Sequence, residues 1–160
     1  MIELDQTDKT MDLILWRHAD AQDGSPDMTR ALTAKGRKQA QQVAAWLLPR
    51  LPENARVLVS PATRARQTAD ALERDYALDD RLAPGMDPVH VLSACGWPET
   101  AGTVLVVGHQ PYLGEIASLI LFGEARPMSI KKAGILWLTN RVRSGDMQAL
   151  IKAAVTPETV

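Results

Sequence analysis

This chain is poorly supplied with the residues needed for cross-linking, base stacking or long-range charge steering. Cys95 is its only cysteine in 160 residues, so no disulfide can form within the chain, and a single free thiol fits a reducing cytoplasm. Four Trp, two Tyr and one Phe are too few for a base-stacking platform. Lys and Arg number 18 against 19 Asp and Glu, a net charge of -1 without the basic excess of a nucleic-acid binder, so nucleic acid is not an expected partner. The longest apolar run, residues 113–122, is broken by Gly114, Glu115 and Ser118 and falls well short of the ~20 residues of a spanning helix, so no membrane partner is expected either. Residues 1–10 are polar and acidic and lack the basic and apolar segments of a signal peptide. They read as a flexible N-terminal extension, with Met11 as an alternative start.

What is present suits one core. A hydrophobic content of 46% with 23% charged residues excludes disorder, and 160 residues is the size of a single domain, read here as residues 11–160. Residues 12–18 form a short apolar, β-prone run that ends in Arg17 and His18. A loop rich in Asp, Gly, Ser and Pro follows. Thr33 then caps a helix whose apolar face carries Ala40, Val43, Ala44, Leu47 and Leu48, with Pro49 as its stop. A second strand over 56–60 leads into a helix with Pro61 as first helical residue and a narrow stripe of Ala62, Ala65, Ala69 and Leu72. A short strand near Leu82, a helix around 88–94, the strand 103–108 and a helix bearing Leu113, Ile116, Ala117, Ile120 and Leu121 come next. Strands over 134–139 and 147–155 close the sheet. Alternating strands and helices predict a three-layer α/β domain: a mixed, mainly parallel central sheet flanked by helices.

Three strand ends carry the chemistry. Arg17-His18 ends the first strand, Ser60 through Arg64 follows the second, and Gly108-His109 ends the third. In an open parallel sheet the carboxyl ends of the strands share one edge, so these residues converge although they are far apart in sequence. Two arginines and two histidines in one crevice suit a phosphoryl group, whose oxygens pair bidentately with guanidinium forks, and helix N-termini beside them favour the same anion. A neutral imidazole can also attack phosphorus and carry the group covalently. Such activity falls as pH drops through the nucleophile's own pKa, which for an ordinary histidine lies near 6.5.

The segments Leu15-Trp16-Arg17-His18-Ala19, Leu32-Thr33-Ala34-Lys35-Gly36, Val59-Ser60-Pro61-Ala62-Thr63-Arg64-Ala65-Arg66-Gln67-Thr68 and Val106-Val107-Gly108-His109 resemble, in this order, the motifs of the histidine phosphatase superfamily, and within it the small SixA-type phosphohistidine phosphatases. The resemblance covers nearly the whole chain from Asp12. It implies the phosphoglycerate mutase-like fold, no metal and no cofactor, a cytoplasmic role in signal transduction, His18 as the phosphorylated nucleophile, and Arg17, Arg64 and His109 as the rest of the phosphate pocket. Two departures stand out. Ala19 occupies the position where the family usually has glycine, so the backbone after His18 does not need a Gly-only conformation. Larger relatives carry a carboxylate general acid in an inserted region, and here Asp20, Asp27 and Asp87 are nearby without a decisive motif. An imidazole leaving group needs less acid assistance than an alkoxide, and about 150 residues leave little room for a lid. Both features favour phosphohistidine presented by another protein, such as a histidine-containing phosphotransfer domain, to a monomer or weak dimer. The competing expectations are a phosphatase for small phosphomonoesters or acyl phosphates and a non-catalytic phospho-ligand binding module.

The remaining polar residues are weighed individually. Ser60, Gln110 and Asp20 are candidate contacts to the phosphate. Arg66, two positions beyond Arg64 on a helix, points away from it. His90 is expected at the surface, and Cys95 as an inert thiol. Asp20 beside His18 has no third ligand at metal-binding spacing.

Overall fold

The computed structural model describes residues 10–160. Residues 1–9 of the predicted extension lie outside the described residues; Thr10 directly precedes the first strand, its carbonyl accepting a hydrogen bond from the Gly102 amide.

Strand β1 (Met11–Arg17) is buried along most of its length, as expected of a strand covered on both faces. It pairs in parallel with β4 (Gly102–Gly108), which pairs in parallel with β2 (Arg56–Val59), and β2 with the two-residue β3 (Ala77–Leu78). On the other side of β1, β5 (Ile135–Arg143) and β6 (Asp146–Val155) run antiparallel, giving the order β3-β2-β4-β1-β5-β6. Helices α1 (Ala34–Leu47), α2 (Thr63–Asp70), α3 (Pro88–Cys95) and α4 (Tyr112–Phe122) complete a three-layer α/β domain around this mostly parallel mixed sheet. Alternate residues of the strands divide the core: Ile14, Trp16, Val59 and Val107 pack with Val43 and Leu47 of α1 and Ala65 and Ala69 of α2, while Leu13, Leu15, Val104 and Val106 pack with Val91 of α3 and Leu113 and Ile116 of α4.

Four element boundaries differ from the sequence reading. Leu82 is buried, but at the end of a 3-10 turn (Asp80–Leu82) rather than on a strand, and the strand lies earlier at Ala77–Leu78. Pro61 is not the first residue of α2, because Ser60, Pro61 and Ala62 turn the chain first and Ala62 stands at the N-cap. Leu48 belongs to a 3-10 turn with Pro49 and is exposed. Strand β5 runs past Thr139 to Arg143, since Ser144 (φ 51) and Gly145 (φ 80) both take the left-handed conformation of a tight two-residue hairpin turn.

Gly36 shows why α1 can approach the chain that follows His18. A Cβ at this position would lie 2.0 Å from the Asp20 carbonyl oxygen, a backbone atom with no freedom to yield. Gly36→Ala is therefore expected to cost about 1–3 kcal/mol through overpacking. Urea unfolding checks this, and an unchanged midpoint would show that the helix and loop can separate freely.

Candidate functional site

The sheet order alone brings the three predicted segments together. Because β2, β4 and β1 are adjacent and parallel, Arg17 lies opposite Gly108 and Val59 opposite Val107. The pairing continues one step beyond the strands: the His18 amide donates to the Gly108 carbonyl and the Ser60 amide to the Val107 carbonyl, each at 3.0 Å. His18, Ser60 and His109 thus leave the sheet side by side, and the His18 and His109 rings lie 5.1 Å apart.

Each imidazole has one nitrogen engaged. His18 Nδ1 lies 2.7 Å from the Ala19 carbonyl oxygen, which can only accept, so in the neutral ring Nδ1 carries the proton and Nε2 keeps its lone pair. His109 Nε2 lies 2.7 Å from Ser60 Oγ, which itself accepts from the Ala62 amide at 3.2 Å. Among its contacts the Ser60 hydroxyl proton finds an acceptor only in Nε2, which assigns the His109 proton to Nδ1. That Nδ1 is buried without a partner, as are Arg17 Nε and Arg64 Nε. Three of the four such side-chain atoms among the described residues therefore belong to the predicted phosphate pocket. Buried donors are ordinarily paired, so this concentration points to an anion as the missing acceptor.

The arginines are held by their other nitrogens. Arg17 Nη1 donates to the Ile130 carbonyl at 2.9 Å. Arg64 Nη1 donates to the Asp27 carbonyl at 2.9 Å, and Nη2 to Asp27 Oδ2 at 3.0 Å. Asp27 Oδ1 in turn accepts from Arg30 Nη1 at 3.2 Å. Burial, followed by the charges of Arg64, Arg17 and Arg30, lowers the His18 pKa to about 4, against a raising effect of the Ala19 carbonyl. Burial, then His18, Arg64, Arg17 and Arg30, lowers that of His109 to about 3. Both rings are neutral at physiological pH, and the fall of activity expected as pH drops through about 6.5 moves to lower pH. Both residues are buried, His18 with 7% exposure and His109 with 2%.

Of the weaker candidates, Ser60 joins the site through His109. Gln110 does not: its amide holds its own loop, Nε2 donating to the Met128 carbonyl and Oε1 accepting from the Gly114 amide. Asp20 is likewise engaged elsewhere, Oδ1 with Lys132 Nζ at 2.8 Å and Oδ2 with the Thr33 hydroxyl at 2.7 Å. Asp27 bridges two arginines and Asp87 caps α3 through the Val89 amide, so each of the three carboxylates considered as acids already holds a hydrogen-bond or ion-pair partner. Arg66 and His90 are exposed, and burial pushes the Cys95 thiol up to about 12. No cluster of three or more metal-ligating side chains occurs among the described residues. Ala19 is absent from the positive-φ residues, so its Cβ imposes no backbone strain after His18.

Sequence reasoning missed three contributors. Arg30 acts on both rings and shares Asp27 with Arg64, yet a lone loop arginine carries no signal. Thr68, quoted above as part of a motif without a role, accepts from the Ala19 amide at 3.0 Å and donates to the Arg64 carbonyl, tying α2 to the loop after His18. Residues 130–134 form a strap across the end of β1: the Ala133 amide donates to the His18 carbonyl, the Arg17 amide to the Gly134 carbonyl, and Trp16 Nε1 to the Ala133 carbonyl. None of these three contacts could be read from spacing, because the strap lies more than 100 residues from Arg17.

Residues 13–90 match the sequence profile of the histidine phosphatase superfamily (branch 1). The chain is 36% identical over 139 residues to an uncharacterized protein of Picosynechococcus, covering 80% of this chain and 84% of that one. It is 33% identical over 127 residues to the phosphohistidine phosphatase SixA of Escherichia coli, covering 74% and 79%. A solved structure of the protein histidine phosphatase SixA complexed with tungstate superposes with a TM-score of 0.73 at 26% identity, over 92% of this chain and 97% of the other. No helix among the described residues is long and apolar enough to cross a membrane.

Proposed function

Because the chain belongs to the histidine phosphatase superfamily and is a phosphatase, we propose that it removes the phosphoryl group from phosphohistidine on a protein through a covalent intermediate on His18. The observation that carries this reading is a neutral His18 with a free Nε2 beside the His109 ring, in a site where Arg17 Nε, Arg64 Nε and His109 Nδ1 are buried donors without partners. In the first step His18 Nε2 attacks phosphorus as the bond from phosphorus to the substrate imidazole breaks, and the departing imidazole nitrogen takes its proton from solvent. In the second, water attacks the phospho-His18 phosphorus, the P–N bond breaks, and inorganic phosphate leaves with the ring restored. Arg17 and Arg64 hold the phosphoryl oxygens and neutralise charge as they are transferred, and His109 donates one further hydrogen bond. Ser60 positions His109, and Asp27 positions Arg64.

The substrate class follows from the leaving group. An imidazolium has a pKa of about 6.5, so imidazole departs without strong acid assistance, whereas an alkoxide needs a proton donor. The carboxylates at hand are already bound to Lys132, Arg30 and Arg64 or cap α3. The name of the Escherichia coli relative points the same way. The test is a panel of free phosphohistidine, a phosphohistidine peptide, acetyl phosphate, phosphoserine and a sugar phosphate. At pH 7, kcat/KM is expected to be at least about a hundredfold higher for the phosphohistidine compounds than for the two alkyl esters. Faster turnover of an ester or of acetyl phosphate would overturn the assignment.

A further inference from the structure

The strap that holds Arg17 also forms one wall of a groove that the phosphate chemistry does not use. The cavity is about 320 Å3 and is lined mainly by apolar groups of Met128, Ile130, Gly134, Leu136, Ala154 and Val155, with Lys131 and three hydroxyl residues completing its lining. Its floor is the start of β5, where Ile135 and Leu136 are buried, and its outer wall is the end of β6, where Ala154 is exposed. The groove is therefore an apolar surface open at the sheet edge rather than an internal void.

Its position is fixed by the site. Ile130 supplies the carbonyl that accepts from Arg17 Nη1, and Gly134 the carbonyl that accepts from the Arg17 amide. The register sets Trp16, Ile135 and Val155 in one row across β1, β5 and β6, with Trp16 two residues before His18. At ~4.8 Å between strands, that row places the groove within about 10 Å of the end of β1. A side chain two to four residues from a phosphohistidine covers this distance, at ~3.3 Å per extended residue or across one helical turn. A second apolar groove, lined by Trp46 and Trp137, lies beside Asp12 at the opposite end of β1 and shares no residue with the phosphate pocket.

We infer that the groove between the 130–134 strap and the end of β6 is a specificity subsite that receives an apolar side chain of the phosphorylated protein, two to four residues from its phosphohistidine. This rests on the phosphohistidine reading above and adds a determinant that acts on macromolecular substrates alone. Free phosphohistidine fills the phosphate pocket and leaves the groove untouched. A peptide with a leucine in reach removes apolar area from water, which a serine at the same position does not.

The experiment uses phosphohistidine peptides of about ten residues that differ only by leucine or serine at one position, scanned over the four positions on each side. The unsubstituted enzyme is expected to favour leucine over serine by about tenfold in kcat/KM at one or two of these positions, equivalent to ~1.4 kcal/mol. In Ala154→Trp and, independently, Ala154→Arg, which place a large side chain in the groove from the exposed edge strand, that preference should fall below about twofold. Hydrolysis of free phosphohistidine should stay within about twofold of the parent, which also reports that the variants fold. Equal rates for every leucine and serine pair in the parent, or an undiminished preference in both variants, overturns the subsite while leaving the proposed activity standing. Failure to hydrolyse free phosphohistidine and every peptide overturns the proposed activity and the subsite together.

Discussion

Replacing His18 with asparagine should reduce phosphatase activity by at least about 10^4-fold, while His109→Gln should reduce it by only about 10^2 to 10^3. The two rings lie 5.1 Å apart and are both neutral, so proximity does not tell them apart. Their fixed tautomers do. His18 Nδ1 is committed to the Ala19 carbonyl, leaving a lone pair on Nε2, so its loss removes the covalent route altogether. His109 accepts at Nε2 from Ser60 and presents an N–H at Nδ1, so its loss removes one hydrogen bond to the transferring group. Brief incubation with a labelled phosphohistidine substrate followed by denaturation should trap label on the parent protein. The label should be lost in acid and kept in base, as expected of a P–N bond, and it should be absent from His18→Asn and still present, formed slowly, in His109→Gln. Label on His18→Asn with none on His109→Gln would reverse the assignment.

The same contrast shows how far the sequence could be read. The convergence of Arg17, His18, Arg64 and His109 was legible because each lies at or shortly after the end of a strand, and parallel strands deliver their ends to a common edge whatever separates them in sequence. The central sheet and its helices were legible from apolar periodicity. What periodicity does not encode is which polar group answers which. Asp27 was a candidate acid by nearness in sequence, yet its carboxylate is the clamp between Arg30 and Arg64. Gln110 was a candidate phosphate contact because it follows His109, but its amide is drawn to Met128 and Gly114 where α4 begins. The strap was invisible for another reason: its contacts to β1 run through backbone carbonyls and amides, which any sequence supplies. Ala133 even adopts a left-handed φ of 59 there without being glycine.

The second large effect is a loss of stability in mild acid that belongs to the site itself. In the unfolded chain His18 binds a proton as pH falls through about 6.5, while in the folded protein it stays neutral until about 4. Between these values the unfolded state holds more protons, so stability is fully present above pH 6.5 and falls as pH drops toward 4, below which this group takes no more. The difference corresponds to roughly 3 kcal/mol, a large part of the ~5–15 kcal/mol that holds a typical domain together. His109 adds a loss of the same sign, not independently, since a charge on either ring raises the cost of charging the other. Urea unfolding at pH 7 and pH 4.5 should therefore show a smaller acid loss in His18→Asn than in the parent; equal losses would place the acid sensitivity elsewhere. Imidazole signals in the NMR spectrum, simplified by there being only three histidines, should report titration of His18 near 4 in the free protein. Saturating inorganic phosphate should move that titration upward, because an anion accepting from Arg17, Arg64 and His109 removes the positive field that, with burial, keeps His18 neutral. An unmoved titration would mean that the unpartnered donors do not face the ligand.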